Sequence, residues 1–196
     1  SSGFESFLYA IITINNSSCR EIWSFDAKKG DIAWYTYTNV GAGRGNVSPS
    51  TITGGDALYV FGGRPGSGVA VKLGGKGEVK ESSQLWTSRN SPYVATPVYH
   101  EGHLYWMDRS GYAVCLNAKT GKETYRERLQ SSGRTPQFYA SPVVVDGKII
   151  SVSRNAGAFV LEAKPKFKQL AQNTFARDRR VFKSVFNASP AVSNNR

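Results

Sequence analysis

Three arginines recur at a fixed interval along the chain and could together bind an anion. Arg64, Arg109 and Arg154 are separated by 45 residues at each step. A guanidinium group presents its N–H donors in a planar fork that pairs with two oxygens of a carboxylate or phosphate. Three such groups brought to one place would make an anion site. The alternative interpretation is three solvated charges on surface turns, and the interval alone does not decide between the two.

The other residue types that carry chemistry form no complete set. His100 and His103 lie close together, but a histidine pair lacks the third and fourth ligands of a zinc site. The two cysteines, Cys19 and Cys115, fall in different contexts and are interpreted as free thiols rather than as a disulfide. No Ser-His-Asp or Cys-His set and no phosphate-binding glycine loop can be assembled from the positions. We therefore predict no catalytic residues and no metal site.

A second candidate site is the strongly basic segment 164–183. It contains seven lysines or arginines against a single acid, Asp178, and three phenylalanines interleave with them. Basic and aromatic side chains together are typical of single-stranded nucleic acid binding by charge and stacking. The interpretation that we favour is a connecting loop with solvated charges and packed phenylalanines. Nucleic acid is therefore not the expected partner.

The composition fits a folded domain with an excess of positive charge. The 196 residues are 40% hydrophobic and carry a formal net charge of +11. That charge permits contacts with nucleic acid, membrane surfaces or anionic polymers. No apolar run approaches the roughly 18 residues that a membrane-spanning helix needs. Both ends look cut and the chain does not begin with Met, so a missing export signal says little about compartment.

The elements that must position these residues follow an internal repeat. A short run of small residues ending in proline occurs four times, and the prolines are 48, 45 and 48 residues apart. An earlier, degenerate copy has Phe7 in the proline position. A period in the forties is typical of a propeller or solenoid array. The four prolines are Pro49, Pro97, Pro142 and Pro190.

Each copy also carries a turn signal, which is best formed where Asp or Asn stands four residues before Gly. Such a side chain caps its own backbone, and Gly takes the positive φ that closes a hairpin. An aromatic residue follows on the next strand. In the last copy Glu162 stands where the Asp or Asn is expected, and Pro165 interrupts the turn. The three turn segments are 26–30 before Trp34, 73–77 before Trp86, and 117–121 before Tyr125.

The best-formed unit, 93–129, reads as four short strands separated by turns. Its second and third strands, 104–107 and 113–116, are apolar at consecutive positions, so both of their faces must be covered. The fourth, 122–126, is polar and fits an outer edge. The first carries small residues, as expected where strands crowd near a propeller axis. The sequence therefore predicts an all-β propeller made of four-stranded antiparallel blades.

We predict a single incomplete propeller domain over residues 1–196. The expected blades span approximately 1–40, 45–88, 93–129 and 138–172, and a further blade starts at 185–196. We expect these four blades to be part of a ring of about seven or eight. The three arginines then fall in the turns between second and third strands, which gather near the mouth of the channel.

The repeat residues resemble the pyrroloquinoline quinone (PQQ) type of propeller repeat. That repeat has a Leu-Tyr strand, a Gly turn, an Ala-Leu-Asp strand end, then Thr-Gly-Lys and Trp. The resemblance covers nearly the whole chain, strongly around 20–37 and 93–128 and weakly around 155–185. The Ser-Pro strand openings are most similar to uncharacterised exported bacterial propellers. The matching residues are Leu104, Tyr105, Gly111, 117–122 and Tyr125, and earlier Ile22, 25–27, Gly30 and Trp34.

The resemblance implies a fold more specifically than a function. The family includes quinone-dependent dehydrogenases, the propeller lipoprotein of the outer-membrane β-barrel assembly machinery and sensor domains attached to Ser/Thr kinases. Most members outside the dehydrogenases bind no quinone. We predict a non-catalytic module without a cofactor that presents loops to a protein, glycan or small anionic ligand. Because the relatives are mostly exported, the resemblance implies a periplasmic or exported location.

Two alternatives stay open. The first is a fragment of a PQQ-dependent dehydrogenase, which the resemblance would equip with calcium, an Asp base and either adjacent cysteines or aromatic planes around the quinone. The sequence has no adjacent cysteines and only 14 acidic residues, without a calcium-ligand spacing. The second alternative is the sensor region of a Ser/Thr kinase-related protein, which the same repeats would serve.

Overall fold

The computed structural model describes residues 7–13, 19–40, 47–62, 66–80, 83–174 and 185–193, with side chains from residue 21 onward. These residues form sixteen strands in four sheets of four strands each. The sheets are named blades 1 to 4 in chain order. The all-β propeller class predicted from the repeat is confirmed. The described residues contain no helix of the length and apolarity that a membrane span requires.

Blade 1 combines three consecutive antiparallel strands with a short strand from later in the chain. The consecutive strands are β1 (Phe7–Thr13), β2 (Cys19–Asp26) and β3 (Ile32–Tyr37). The fourth, β7 (Gly77–Glu78), pairs with β3 in parallel, unlike the strand pairs of the other blades. The Thr36 hydroxyl donates to the Val79 carbonyl at 2.8 Å and fixes this addition. The outermost strand of blade 1 is therefore β7, which lies in the connection between β6 and β8 of blade 2.

Blade 2 contains the most buried strand of the described chain. Its strands are β4 (Ile52–Gly54), β5 (Ala57–Gly62), β6 (Ser67–Lys72) and β8 (Gln84–Ser88). All six residues of β5 are buried. Trp86 lies on the fourth strand, as predicted, but segment 73–77 does not lead directly into that strand, because β7 intervenes. Leu73, in the capping position of this copy, has no oxygen with which to close a tight hairpin.

Blades 3 and 4 are antiparallel throughout. Blade 3 comprises β9 (Val98–His100), β10 (His103–Met107), β11 (Tyr112–Asn117) and β12 (Glu123–Arg128). Blade 4 comprises β13 (Val143–Val145), β14 (Lys148–Val152), β15 (Ala158–Glu162) and β16 (Gln169–Asn173). In blade 3 the middle strands are buried and β12 is mostly exposed, which is the gradient expected of a blade covered on both faces.

The predicted Asp and Asn turns are confirmed in their hydrogen bonding. The Asp26 carboxylate accepts the amides of Lys28 and Lys29 at 2.8 and 3.0 Å, and Gly30 has a φ of 76°. These amides, with that of Lys29 the stronger, hold the pKa of Asp26 below its usual value. The side-chain oxygen of Asn117 accepts two amides in the equivalent turn of blade 3.

Two compact units, residues 1–91 and 92–196, each contain a separate core. In the first unit, Ile22 and Trp34 of blade 1 pack with apolar residues of β5 and β6 in blade 2. In the second unit, Tyr105 and Cys115 of blade 3 pack with Phe159 of blade 4. In both units the core therefore consists of two sheet faces pressed together.

The small residues before the recurring prolines also join successive repeats within the second unit. The Thr96 amide donates to the Ser141 hydroxyl, and the Ser141 amide donates to the Ser189 hydroxyl, both at 2.9 Å. Crowding alone explains a small side chain at these positions, whereas the hydrogen bonds explain why the side chain is a hydroxyl. Ser189 lies in segment 185–193, which forms no regular strand among the described residues.

A glutamine at the start of a fourth strand makes a second kind of joint. In the first unit, Gln84 Nε2 donates to the Tyr37 carbonyl at 3.2 Å. In the second unit, Gln169 Nε2 donates to the Gln130 carbonyl and Gln169 Oε1 accepts the Gln130 amide, both at 2.9 Å. Gln84 thus holds the end of β3 in blade 1, and Gln169 holds the chain that follows β12 in blade 3.

Candidate anion-binding site

Arg109 lies in a turn whose backbone is fixed by its neighbour Asp108. One carboxylate oxygen of Asp108 accepts the amides of Ser110 and Tyr112 at 2.8 and 3.0 Å. The other oxygen pairs with Arg126 Nη1 at 2.8 Å. The Asp108 carboxylate is therefore used within the turn, while the Arg109 side chain is exposed.

Arg154 lies in the corresponding turn of blade 4, where the Ser153 hydroxyl replaces the Asp108 carboxylate in bonding the backbone of the turn. The Ser153 hydroxyl donates to the Gly157 carbonyl at 2.9 Å and accepts the Ala156 amide at 2.8 Å. Gly157 has a φ of 86°, which favours glycine. Both arginines are thus carried by turns between second and third strands, as the repeat predicted.

The two arginine side chains meet a pair of contacting tyrosines. The Arg109 guanidinium carbon lies 5.3 Å from the ring centroid of Tyr93, and that of Arg154 lies 4.2 Å from the centroid of Tyr139. The two rings contact each other edge to face, with centroids 5.7 Å apart. The structure therefore links the two arginines through one continuous set of contacts.

A further polar contact orients Arg154 but not Arg109. Arg154 Nε donates to Asn187 Oδ1 at 2.8 Å, and the Phe186 amide donates to the Arg154 carbonyl at 3.3 Å. Within the described ranges, no hydrogen bond or ion pair holds the Arg109 guanidinium. Among the described residues, the Nη groups of Arg154 and the whole donor edge of Arg109 have no hydrogen-bond partner.

The third predicted residue, Arg64, falls in segment 63–65, outside the described residues. The structure therefore brings together two of the three arginines, and their role as an anion site stays a prediction. Sequence reasoning missed Tyr93, Tyr139 and Asn187. A signal was present, because each of the three lies three or four residues before one of the recurring prolines.

A guanidinium stacked on an aromatic face can still bind an anion. The face of the cation is attracted to the ring quadrupole, by about 0.5–2 kcal/mol depending on exposure. Where the guanidinium plane is parallel to the ring, its N–H donors point outward within that plane and not into the ring. The tyrosines therefore restrict the arginine side chains without consuming their donors, which lowers the entropy lost on binding.

Several of the remaining candidate residues have local partners. His103 Nδ1 lies 3.0 Å from the Glu101 carbonyl, and His100 Nε2 lies 3.9 Å from the Glu101 carboxylate. In the basic segment, Lys168 pairs with Glu162, whose pKa is lowered by the hydrogen bond from that lysine. Phe167 packs against the core of its unit. The part of this segment at 175–183 lies outside the described residues.

The described side chains do not fit the calcium ion that a quinone site of the dehydrogenase type would need. Calcium requires several carboxylate or carbonyl oxygens around one point. The described part of the chain contains no group of three or more His, Cys, Asp or Glu side chains that could hold a metal ion. The carboxylates of Asp26 and Asp108 are turned onto the amides of their own turns.

Cys115 is a free, buried cysteine on β11. Burial raises the pKa of the Cys115 thiol to about 11. Tyr105 and Tyr125 lie opposite it on the two neighbouring strands, and burial raises their pKa values as well. The side chain of Cys19 lies outside what the structure describes.

Comparisons with known proteins agree with this architecture. The family described as outer membrane protein assembly factor BamB matches residues 76–165. Curated protein sequences give no match. Among solved structures, BamB from Moraxella catarrhalis is 14% identical with a TM-score of 0.56, over 81% of this chain. The match covers 48% of that BamB chain, so the present chain spans about half its length.

Two other solved structures share the fold at low identity. A quinohemoprotein alcohol dehydrogenase from Pseudomonas putida is 16% identical with a TM-score of 0.54, over 71% of this chain and 22% of its own. The computationally designed protein Ika8 is 10% identical with a TM-score of 0.51, over 85% of this chain and 49% of its own. The repeat residues, the four-stranded blades and these likenesses together show a β-propeller whose repeats are similar to the PQQ type.

Proposed function

We propose that this chain is a non-catalytic binding module whose second-to-third-strand turns hold an anionic group of a partner. The observation that carries the proposal is the pair of cation–π contacts that Arg109 and Arg154 make with the contacting rings of Tyr93 and Tyr139. Arginines that were only solvated turn charges would not be expected to contact a tyrosine ring in both of two successive repeats. The net charge of +11 would draw an anionic partner toward this surface.

The partner that we favour is a protein, and the location is periplasmic or exported. The matching family is described as an outer membrane protein assembly factor, which is a role exercised through contacts with other proteins. Short turns held between paired strands are suited to such contacts, because they lose little entropy on binding. On the same basis we propose that this chain acts as a scaffold for its partner.

Binding to soluble polyanions tests the proposal. Polyglutamate and dextran sulfate are titrated into the protein and into the triple variant Arg64→Ala, Arg109→Ala, Arg154→Ala. We expect the wild-type protein to bind at least one of them and the triple variant to lose that binding. The matched control removes three exposed lysines from other turns, by Lys28→Ala, Lys29→Ala and Lys119→Ala. Equal loss in both triple variants would show attraction by net charge alone and would contradict a site at the arginines.

The dehydrogenase alternative has a separate test. The protein is incubated with PQQ and calcium, and an alcohol or an aldose is added with a dye acceptor. We expect no dye reduction above that of the cofactor alone, because the described carboxylates offer no calcium cluster. Substrate-dependent dye reduction would overturn the non-catalytic assignment. The interpretation as a kinase-linked sensor stays a prediction that flanking sequence would test.

A further inference from the structure

Arg109 and Arg154 offer donors suited to two separate carboxylates. Asn187 occupies Nε of Arg154, so the two Nη groups remain, and their parallel N–H bonds match both oxygens of one carboxylate. Arg109 is exposed on blade 3, whereas Arg154 belongs to blade 4, and the pair of tyrosine rings lies between them in the series of contacts. A ligand with carboxylates on a chain could engage both arginines at once, which a single inorganic anion does less well.

The aromatic rings argue against nucleic acid as the ligand. Proteins that bind single strands stack bases on the open faces of aromatic side chains. Here Tyr93 and Tyr139 each have a guanidinium over the ring, and the two rings also contact each other edge to face. Little aromatic face is therefore left for a base.

From these contacts we infer that the site binds an extended acidic peptide segment of a partner protein, with one carboxylate on Arg109 and another on Arg154. The inference rests on the proposed anion-binding function and names the ligand class for the same site. Asn187 is a positioning residue, because it acts on the ligand only through the orientation of Arg154. Tyr93 and Tyr139 hold the two guanidiniums in place and line the path between them.

The test measures fluorescence anisotropy of a labelled oligoglutamate peptide titrated with the whole chain at low salt. Loss of one bidentate pair weakens binding by about tenfold, so Arg109→Ala and Arg154→Ala should each raise the dissociation constant by about that factor. The matched control is Arg128→Ala. The Arg128 guanidinium lies 4.5 Å from the ring centroid of Tyr112, but on the outer strand β12. It removes the same charge and the same kind of ring contact, and should leave peptide binding unchanged.

A second set of variants tests the contact between Arg154 and the Tyr139 ring and the role of Asn187. Tyr139→Phe keeps the ring and should bind the peptide as the wild-type protein does, whereas Tyr139→Leu should weaken binding. Asn187→Ala should weaken binding of the oligoglutamate peptide to the wild-type chain but have no further effect in the Arg154→Ala background, because Asn187 acts only through Arg154. A merely structural role would lower the unfolding temperature of the variant and weaken peptide binding equally in both backgrounds.

Competitors separate this inference from the function on which it rests. An oligouridylate of matched charge should displace the peptide poorly. If the oligouridylate or dextran sulfate binds more tightly than the peptide, and Arg109→Ala and Arg154→Ala weaken that binding, the anion site stands and the peptide assignment is wrong. If the wild-type chain binds none of the three probes, the proposed function itself fails. Unchanged peptide binding in the double arginine variant would place the peptide elsewhere and overturn the inference.

Discussion

At the residue scale, one side-chain oxygen closes each of four turns in the blades. Asp26, Asn117 and Asp108 each accept two backbone amides, and Ser153 satisfies its turn with a hydroxyl that both donates and accepts. Aspartate and asparagine are interchangeable acceptors in this geometry, but only aspartate titrates. The two residue types therefore differ in their response to acid rather than in the turn that they form.

Asp26 should make the protein sensitive to acid in a way that Asn would not. Its pKa is lowered in the folded chain by the amides of Lys29 and Lys28, so its contribution is fully present above the unfolded-state value of 3.8. That contribution is lost as the pH falls through the lower folded value. We expect Asp26→Asn to match the wild-type protein at neutral pH and to lose less stability between about pH 5 and pH 2. Thermal unfolding across that range measures the difference.

The control for this experiment is Asp26→Ala, which removes the acceptor at every pH. It should lower the unfolding temperature at neutral pH as well as in acid. If Asn behaved like Ala at neutral pH, the turn would depend on the negative charge of Asp26 rather than on its hydrogen bonds.

Cys115 should be chemically silent in the folded protein. With a pKa of about 11, only about a thousandth of the thiol is ionised at pH 8, and the thiolate is the reactive form. In a Cys19→Ser background, we expect slow modification by an aromatic disulfide reagent, and fast modification in urea. The absorbance of the released thiolate gives both rates. Complete reaction within minutes without denaturant would contradict the burial of this side chain.

The arginines of the candidate site could be predicted from the sequence, whereas the tyrosines that they contact could not. The 45-residue interval located Arg109 and Arg154 in equivalent turns, because a repeat maps equal positions onto equal places. It did not locate the rings, because Tyr93 lies four residues before its proline and Tyr139 lies three residues before its own. That offset of one residue breaks the periodicity, and only the contact between rings from two repeats shows the pairing.

At the element scale, the start of β15 and the end of β16 in blade 4 require close packing of their backbones at Gly157 and Asn173. A Cβ added to Gly157 would lie 2.2 Å from the Asn173 carbonyl oxygen, and the φ of 86° adds strain. Gly102 has a similar φ of 76°, but a Cβ there would meet nothing within 4 Å. The two glycines therefore separate the cost of backbone strain from the cost of overlap.

Gly157→Ala should be much more destabilising than Gly102→Ala. We expect a loss in the free energy of unfolding of about 1 kcal/mol for Gly102→Ala, from strain alone. For Gly157→Ala we expect about 2–4 kcal/mol, because β15 and the end of β16 must also move apart. Urea unfolding followed by tryptophan fluorescence measures both losses. Equal losses would mean that the packing at Asn173 contributes nothing.

The elements of blade 3 could be predicted almost completely, whereas β7 could not. Blade 3 has a turn signal at each strand end and strongly apolar middle strands, so local chemistry and tertiary packing agree. Strand β7 has only two residues, Gly77 and Glu78, without apolar alternation. Its pairing depends on the Val79 amide and carbonyl reaching Tyr35 and Thr36 of blade 1, which no local pattern encodes.

At the scale of the whole molecule, positive charge is the dominant electrostatic property. A net charge of +11 repels itself and opposes compaction. The described ion pairs involve few of the 25 basic residues, and several of these pairs are at the surface. Screening by dissolved ions should therefore stabilise the folded chain.

The unfolding temperature should rise as sodium chloride is added up to about 0.15 M, where screening acts over about 8 Å. Sodium sulfate at equal ionic strength should give a larger rise, because an anion bound to the folded state adds to its stability. Arg109→Ala with Arg154→Ala should reduce the additional effect of sulfate and leave that of chloride intact. Differential scanning fluorimetry measures each shift. A fall in unfolding temperature with chloride would show that attractive charge pairs outweigh repulsion.

The hydroxyl that precedes each recurring proline has an evolutionary consequence. Ser141 accepts an amide from the repeat on one side and donates its own amide to Ser189 on the other. A gene segment encoding one whole repeat therefore carries a donor and an acceptor that fit any sister copy. Tandem duplication would produce a new repeat that can already form these hydrogen bonds with the repeats on both sides. A valine at this position could not accept the amide of the preceding repeat.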